Sequence, residues 1–464
     1  MTNRIALKFI FLILLIIIAG FLGNAIGFNP TQIVATSIFF TSIFATLLFW
    51  NFRLAVAFLG ISLLLITKTV DLENAIKFAS LEVILFLVGM MVLVGLLKEV
   101  GFFAWLITLF LRVRNLTAKR FILMISVFSA LLACCVDEVT SIMFMVAAIL
   151  EICDYFEVEP IPFIIISVLA TNIGSSGTVL GNPIGILIAS KSGLTFEDFI
   201  VKAFPLMCLC LLFIIFIISI WYRKAIKRLD GKIKELQANE ILIRLISVPP
   251  EKQLKRGLGI FALTLFFISL HHRLENIWGL ETNTLLLSIP LIFAGGVMIW
   301  RRNRARRYIE QEVDWWTLLF FLILFAQAGT LKYTGATDVL AKKMIGVTGS
   351  NPNILIGAIL WISAIGSSIL DNVVLVAAFI PIVQSLQALH FNLQPLWWAL
   401  LFGGCLGGNI TLIGSTANIV ALGILEKEKN IRITFFKWFW IGLSVGLITT
   451  AIVWLVLIAL PFYR

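Results

Sequence analysis

The sequence predicts an all-α polytopic membrane protein made of two inverted-topology repeats. The 464 residues are 60% hydrophobic and only 13% charged, with a mean hydropathy of +1.05, whereas soluble domains average about 25% charged residues. Apolar runs long enough to cross a bilayer, roughly 20 residues each, recur along the whole chain, and the second half echoes the first. We expect about eleven transmembrane helices, two re-entrant hairpins and two broken helices.

The N-terminal segment 1–31 combines a basic start with an apolar run, as a signal peptide does, but it shows no clear cleavage site. We interpret it as an uncleaved transmembrane helix with a cytoplasmic N-terminus. The first repeat follows over residues 32–222. Its predicted spans lie near 32–50, 53–68, 80–97 and 201–221, and a return to the cytoplasm is marked by Arg112, Arg114, Lys119 and Arg120.

Residues 121–153 are apolar but carry a polar break at 134–141. Each arm is about 14 residues, or roughly 21 Å of helix, which is too short to cross alone. One kinked span and a re-entrant hairpin with Asp137 at its tip both fit this pattern. A single crossing would place the basic linker 223–256 outside, against the positive-inside rule, so the hairpin is favoured. A broken helix over 160–190 follows it.

The second repeat, residues 257–464, is found by aligning the chain with itself. A shift of 234 residues lays "LFLVGMMVLVGLLKEVG" over "LFFLILFAQAGTLKYTG", and a shift of 233 lays "GSSGTVLGNP" over "GGNITLIGST". The repeat thus has its own hairpin, 353–389, and its own broken helix, 395–427. Because each unit makes five crossings, the second must be inverted, with the C-terminus outside. Transporters of this kind bind substrate at the bilayer midplane, between the repeats.

The segments "TNIGSSGTVLGNP" and "LGGNITLIGSTAN" interrupt the two predicted broken helices with residues that do not hold a regular helix. Unwound backbone is tolerated at membrane depth only where it faces protein or a water-filled cavity. Such breaks expose carbonyl groups to cations and N–H groups to anions. Small-residue helix packing is the alternative explanation, but both breaks recur at equivalent positions.

Asp137 aligns with Asp371, and each is predicted at the tip of a hairpin. A carboxylate inside a membrane is costly unless it is paired, protonated or coordinated, so the pair is predicted to bind a proton or a sodium ion. Each aspartate is also a good N-cap for the returning arm, and the two roles are compatible. The neighbouring Glu138 aligns with Asn372. It is either a second titrating group or a side chain facing an aqueous cavity.

Three cysteines, Cys134, Cys135 and Cys405, map to the same predicted site. Thiolates there would bind a soft species such as trivalent arsenic. The favoured interpretation is that the cysteines pack as small apolar side chains. The net charge of +11 is concentrated beside the spans, which indicates membrane topology rather than nucleic-acid binding. The chain has no GxxxxGK[ST] motif for ATP and no catalytic or metal-ligand constellation. We therefore expect no enzyme activity and no cofactor beyond a coupling sodium ion or proton.

The motifs "DEVTS", "ATNIGSSGTVLGNP", "SILDNVVLVA", "CLGGNITLIGSTANIV" and "VDWWTLLFFLILF" give the sequence a family resemblance. It resembles the ion transporter superfamily of arsenite permeases, NhaD-type sodium/proton antiporters, the P protein and citrate or dicarboxylate carriers, and is most similar to the arsenite-permease and P-protein branch. The resemblance implies a homodimer in which transport domains move like an elevator against a static scaffold.

The resemblance also implies a set of substrate- and ion-binding residues. Together with Glu138 they are Asp137, Thr140, Asn172, Ser175, Ser176, Thr178 and Asn182 in the first repeat, and Asp371, Asn372, Asn409, Thr411, Ser415, Thr416 and Asn418 in the second. A sodium ion would lie at Asp137, Asn172, Asp371 and Asn409. Dicarboxylate carriers have Ser-Asn-Thr motifs at their hairpin tips, whereas the tips here read "VDEVT" and "LDNVV". Fixed negative charge favours a cation or a neutral substrate over a dianion.

The sequence thus predicts a proton- or sodium-coupled antiporter in the inner membrane of a bacterium, exporting sodium or a neutral oxyacid such as arsenite. Its partners would be the lipid bilayer and a small ion or molecule. Sodium-coupled uptake of citrate or a dicarboxylate is the alternative within transport. A channel, or a membrane subunit driven by a soluble ATPase, is the alternative of another class.

Overall fold

The computed structural model describes residues 2–49, 52–103, 105–106, 117–237, 252–349 and 351–463. These residues are predominantly helical, and no strand occurs among them. They include seven helices long and apolar enough to cross a membrane, or up to nine if each of two bent pairs is one span. The predicted all-α polytopic membrane protein is therefore confirmed. Arg112, Arg114 and residues 238–251 of the predicted linker lie outside the described residues.

Among the described residues, the first half of the chain forms ten helices and is followed by a basic one in the predicted linker. They are α1 Thr2–Ile26, α2 Pro30–Leu48, α3 Arg53–Ile66, α4 Leu72–Phe78, α5 Leu81–Glu99, α6 Ala118–Cys135, α7 Glu138–Tyr155, α8 Ile161–Gly174, α9 Pro183–Ser192, α10 Phe196–Trp221 and α11 Arg223–Gln237. The non-helical segment between α8 and α9 lies inside the predicted broken helix 160–190.

The described part of the second half forms eleven helices. Its helices are α12 Lys252–Ser269, α13 His271–Trp278, α14 Thr284–Trp300, α15 Arg302–Glu312, α16 Trp315–Tyr333, α17 Ala336–Thr348, α18 Pro352–Ile369, α19 Asn372–Ser385, α20 Gln394–Gly407, α21 Thr416–Lys429 and α22 Phe435–Ala459. Helices α8 and α9 begin 233 residues before α20 and α21. The breaks 175–182 and 408–415 are therefore equivalent.

Helices α6 and α7 fold back on each other, and we call them hairpin 1. The hydroxyl of Ser141 donates to the carbonyl oxygen of Ser129 at 3.3 Å, although the two are 12 residues apart; one straight helix would separate them by about 18 Å. Each arm has 18 residues, so the expectation of shorter arms was wrong. The Thr117 side chain caps α6 before the basic residues begin, and α7 continues through Asp154.

Both ends of hairpin 1 lie at the same end of the molecule, because both contact α11. The backbone N–H of Ala118, where the hairpin starts, donates to Asp230 at 3.2 Å. Beyond its last helical residue, Glu157 pairs with Lys232 at 3.6 Å. Helices α18 and α19 form the equivalent hairpin 2, whose two ends line one cavity beside the start of α20.

The two hairpins point toward each other from opposite ends of a broken helix. Helix α20 begins beside the base of hairpin 2. Helix α21 ends at Lys429, whose ammonium group pairs with Asp154 at the base of hairpin 1 at 2.6 Å. Helices α20 and α21 thus run from one base to the other with their break in between. The tips meet beside that break, where Asn372 contacts Glu138.

Each hairpin packs against a broken helix through an equivalent glycine. A methyl group on Gly174 would overlap the backbone of Ala130, and one on Gly407 would overlap the backbone of Ala364. Every residue of α8 is buried, and α20 is buried from Pro395 onward. The first break is wholly buried and the second is buried except at Leu412 and Ile413. Unwound backbone at membrane depth is tolerated where it faces protein in this way.

Candidate ion- and substrate-binding site

The buried carboxylate of Glu138 lies at the point where the hairpin tips meet. Glu138 is 2% exposed and Asn372 is fully buried. The Asn372 amide donates to both carboxylate oxygens, at 3.2 and 3.4 Å, and the Ser415 hydroxyl donates to Oε1 at 3.4 Å. Hairpin 1, hairpin 2 and the second break therefore converge on one acid. The option that Glu138 points into an open aqueous cavity does not hold in this conformation.

A chain of asparagine amides connects the two breaks. The Asn172 amide donates to Oδ1 of Asn409 and to Oδ1 of Asn418, both at 2.9 Å. The Asn418 amide in turn donates to the carbonyls of Gly408 at 2.7 Å and Thr411 at 2.8 Å. A carbonyl oxygen can only accept, so the Asn418 side chain must turn its Nδ2 toward these two carbonyls and its Oδ1 toward Asn172. The Oδ1 of Asn418 in turn requires the Nδ2 of Asn172, which fixes the orientation of that amide as well.

This orientation leaves two buried amide atoms without a hydrogen-bond partner among the described residues. They are Oδ1 of Asn172 and Nδ2 of Asn409, and both side chains are fully buried. An unsatisfied buried polar atom is costly, and such atoms often mark the place of a ligand or water. Oδ1 of Asn172 is an acceptor and fits a cation. The free atom of Asn409 is a donor and does not.

The first break closes on itself around Asn182. This side chain caps α9 by accepting from the N–H of Gly185 at 3.0 Å, and its amide donates to the Ser175 hydroxyl at 3.0 Å. The amide also lies 3.2 Å from the Cys405 sulfur. The Ser175 and Ser176 hydroxyls donate to the backbone carbonyls of Asn172 and Ile173. Ser176 is thus bonded back to the end of α8.

Two equivalent threonines tie the breaks to the hairpins. Thr178 donates to the carbonyl of Cys134 at the end of α6, and Thr411 donates to the carbonyl of Ser368 near the end of α18. Each hydroxyl also accepts from a backbone N–H within its own break. These predicted site residues therefore position the hairpins and do not face the Glu138 carboxylate.

The two predicted aspartates are not equivalent in their surroundings. Both cap the second arm of their hairpin, Asp137 by accepting from the N–H of Thr140 at 2.8 Å and Asp371 from that of Val373 at 3.0 Å. Asp371 is 6% exposed and also accepts from the Thr416 hydroxyl at 2.6 Å. The first repeat has Pro183 where the second has Thr416, so Asp137 has no such bond. It is only half-buried.

The backbone at Asp137 is also strained. Its φ is 135°, a region that residues with a Cβ rarely occupy, whereas Asp371 has an ordinary φ of −55°. Strain of this kind persists only where the surrounding structure enforces it, and it clusters at functional sites. The tip of hairpin 1 is therefore held in a less relaxed conformation than the tip of hairpin 2.

A buried cation that the sequence did not predict lies beside the site. Arg53, at the start of α3, is 6% exposed and donates to the Thr317 hydroxyl at 2.7 Å. That hydroxyl donates to Asp314 at 2.6 Å. The carboxylates whose charges act on the guanidinium are Asp371 and Asp314. Two features of the sequence could have indicated this cation: Arg53 stands at the start of an apolar run, and Asp314 is the aspartate of "VDWWTLLFF". That motif contributed only to the family resemblance.

The cysteines behave as small packing residues. Cys134 donates to the carbonyl of Gly174 at 3.0 Å, and Cys405 contacts Asn182. Among the described residues, no group of three or more His, Cys, Asp and Glu side chains could hold a metal ion. Soft-metal binding by the thiols therefore has no support in the geometry.

Comparison with known proteins identifies the type of molecule. A family model described as citrate transporter matches residues 44–403. The chain belongs to the citrate transporter family. It is a secondary transporter, and the resemblance to the ion transporter superfamily is confirmed. The mention of citrate in this description concerns the family and does not identify the substrate of this chain.

Individual relatives agree with this assignment. An uncharacterized transporter of Mycobacterium tuberculosis is 31% identical over 379 residues, which cover 80% of this chain and 84% of the relative. The human P protein is 27% identical over an alignment of 506 residues that covers 92% of this chain and 60% of the P protein. The solved structure of the YdaH transporter of Alcanivorax borkumensis matches with a TM-score of 0.52 at 16% identity, covering 86% of this chain and 88% of that one. The last likeness concerns the fold alone.

Proposed function

We propose that this transporter is a proton- or sodium-coupled antiporter that exports sodium or a neutral oxyacid such as arsenous acid, with Glu138 exchanging the coupling ion. The observation that carries the proposal is the Glu138 carboxylate, which is 2% exposed and is contacted by Asn372 and Ser415. A buried carboxylate with only neutral donors in contact retains an affinity for a proton or a small cation.

The charges around Glu138 favour a cationic ligand. The charges of Asp137 and Asp371 both act on Glu138, and Asp314 lies beside Arg53. This region thus contains four carboxylates, of which Asp371 and Asp314 act on the guanidinium of Arg53. The excess negative charge in a medium of low polarity attracts protons and metal cations and repels a dianion.

Sodium, if it is the coupling ion or the exported ion, would take oxygen ligands, as hard cations do. The unpartnered Oδ1 of Asn172 is the best-placed neutral oxygen. The predicted ligand Asn409 is a poor one in this conformation, because its Oδ1 accepts from Asn172. Asp137 and Asp371, the other predicted ligands, have carboxylate oxygens at the hairpin tips. We therefore place the sodium ion near Asn172 and the hairpin acids.

The proposed mechanism is elevator-like alternating access in a homodimer. Support comes from two hairpins that meet tip to tip from opposite ends of a broken helix, which is what re-entrant hairpins in inverted repeats would produce. Glu138, Asn172 and Asn372 are almost inaccessible to solvent, so an ion bound among them must be released by movement of these elements. We propose that the chain lies in a bacterial inner membrane with the N-terminus cytoplasmic and the C-terminus outside.

A second candidate, sodium-coupled uptake of citrate or a dicarboxylate, is favoured by one observation. Arg53 is a buried cation beside Asp371, and a guanidinium suits carboxylate binding. In this mode the acids would hold sodium ions, and Arg53 with the first N–H groups of α9 or α21 would hold the anion. The family description is compatible with it.

Proteoliposomes with a trapped pH-sensitive dye separate these functions. Sodium, lithium, arsenite and citrate are added in turn to vesicles of matched composition with and without protein. The antiporter proposal expects a saturable proton flux that is triggered by sodium or arsenite. A response to citrate only in the presence of sodium would replace it with the second candidate.

A further inference from the structure

A basic cleft lies at one end of the first repeat, away from the Glu138 site. Its walls are the turn between α7 and α8, the end of α10 and helix α11. Its lining side chains include Glu157, Glu159, Phe163, Trp221 and Tyr222, together with Arg223, Lys224, Lys227, Arg228 and Lys232. The cleft is therefore both aromatic and strongly basic.

The acids of the cleft already have cationic partners. Lys232 pairs with Glu157 at 3.6 Å and with Glu235 at 3.4 Å, and Lys437 pairs with Glu159 at 3.6 Å. In the part of the chain that the structure describes, no carboxylate pairs with Arg223, Lys224, Lys227 or Arg228. The cleft thus keeps four positive charges available for an anion.

The position of the cleft is that of a membrane–water interface. Helix α10 is a 26-residue apolar span that ends at Trp221, and Trp and Tyr are enriched where spans leave the hydrocarbon. Helix α11 is amphipathic, with Ile226, Leu229 and Ile233 buried against the protein and its basic residues exposed on the other side. Its cations are therefore at the level of lipid headgroups.

We propose that this cleft binds the phosphate group of an anionic phospholipid. The basic residues would contact the phosphate, because Arg and Lys supply charged donors to its oxygens. The exposed indole of Trp221 would face the glycerol and acyl chains, which a free phosphate ion does not have. Inorganic phosphate offers the same anionic chemistry, and the experiment distinguishes the two sources.

The bound lipid would be connected to the transport machinery. Helix α11 contacts both ends of hairpin 1, through Asp230 and Ala118 and through Lys232 and Glu157. Hairpin 1 carries Glu138 at its tip. A headgroup in the cleft would therefore fix α11, and with it the base of hairpin 1, at the membrane surface.

The test compares two triple variants of the full-length protein. The first, Lys224→Gln, Lys227→Gln and Arg228→Gln, removes three cleft cations. The matched control, Lys252→Gln, Lys255→Gln and Arg256→Gln, removes three exposed cations from α12. Native mass spectrometry measures the retention of phosphatidylglycerol or phosphatidylcholine supplied in micelles, and the melting temperature of each variant without lipid verifies folding. Inorganic phosphate is added as a competitor.

Wild type and control are expected to retain phosphatidylglycerol in preference to phosphatidylcholine. The cleft variant is expected to bind phosphatidylglycerol roughly a hundredfold more weakly, given the contribution of each surface cation. Equal retention by the cleft and control variants would overturn the proposal, as would equal retention of the two lipids by wild type. Displacement of the lipid by millimolar inorganic phosphate would reassign the site to a soluble phosphate and likewise overturn the lipid assignment.

Discussion

Glu138 and Asn372 occupy equivalent positions in the two repeats and are hydrogen-bonded to each other, with Asn372 Nδ2 3.2 Å from Glu138 Oε1. Equivalent residues meet in this way when they lie beside the pseudo-two-fold axis that relates two repeats. The centre of the site therefore holds one carboxylate and one amide in place of two acids. In the proposed mechanism, this asymmetry leaves Glu138 as the one central group that exchanges the coupling ion.

The variant Asn372→Asp would place a second acid beside Glu138. Adjacent carboxylates hold a shared proton more tightly than one carboxylate does, so proton release would require a higher pH. We expect the pH profile of transport to move in the alkaline direction by about one unit or more. The measurement is the initial rate of proton flux in proteoliposomes between pH 5 and 9. An unchanged pH profile would show that residues 138 and 372 do not bind the transported proton.

The variants Asp371→Asn and Asp137→Asn test the unequal roles of the two tips. Asn is as good an N-cap as Asp, so both proteins should fold. Asp371 also accepts from Thr416, and its charge lies beside Arg53. We expect Asp371→Asn to reduce the transport rate at least tenfold and Asp137→Asn to reduce it less. The opposite order, measured at equal protein density, would assign the leading role to hairpin 1.

Arg53 offers a test of substrate charge. Removing its positive charge in Arg53→Gln would strengthen the attraction of the acids for a cation, so the apparent KM for sodium should fall several-fold. Arg53→Lys keeps the charge and serves as the control. Loss of transport in Arg53→Gln, together with citrate uptake by wild type, would instead identify Arg53 as a binding group for a carboxylate.

The equivalent glycines predict a stability effect. Gly174→Ala and Gly407→Ala would push a methyl group into the backbone of Ala130 or Ala364, and overpacking typically costs about 1–3 kcal/mol or more. Gly295→Ala, on the membrane helix α14, has nothing within 4 Å of the new methyl group and should be neutral or stabilising. Melting temperatures in detergent provide the comparison. Equal effects at all three positions would contradict the packing described here.

The sequence predicts the all-α class because hydropathy and length decide it, and the internal alignment leads to the correct equivalence of Asp137 with Asp371. It does not predict which acid is central. That depends on contacts between residues 234 apart in the chain, such as Glu138 with Asn372. The role of Arg53 was missed for the same reason, since its partner Thr317 is 264 residues away. The arms of hairpin 1 were predicted too short because α6 begins in a basic segment that hydropathy excludes and α7 begins at Glu138, inside the predicted polar break.

The central claim, that Glu138 exchanges the coupling ion, is tested most directly by one proton-flux measurement. Wild type, Glu138→Gln and Glu151→Gln are reconstituted at equal density, and the internal pH is followed after addition of sodium or arsenite. Glu151 lies on the same helix but is exposed, so it controls for loss of a carboxylate from α7. The account predicts a substrate-triggered proton flux in wild type and Glu151→Gln and none in Glu138→Gln. An undiminished flux in Glu138→Gln would contradict it.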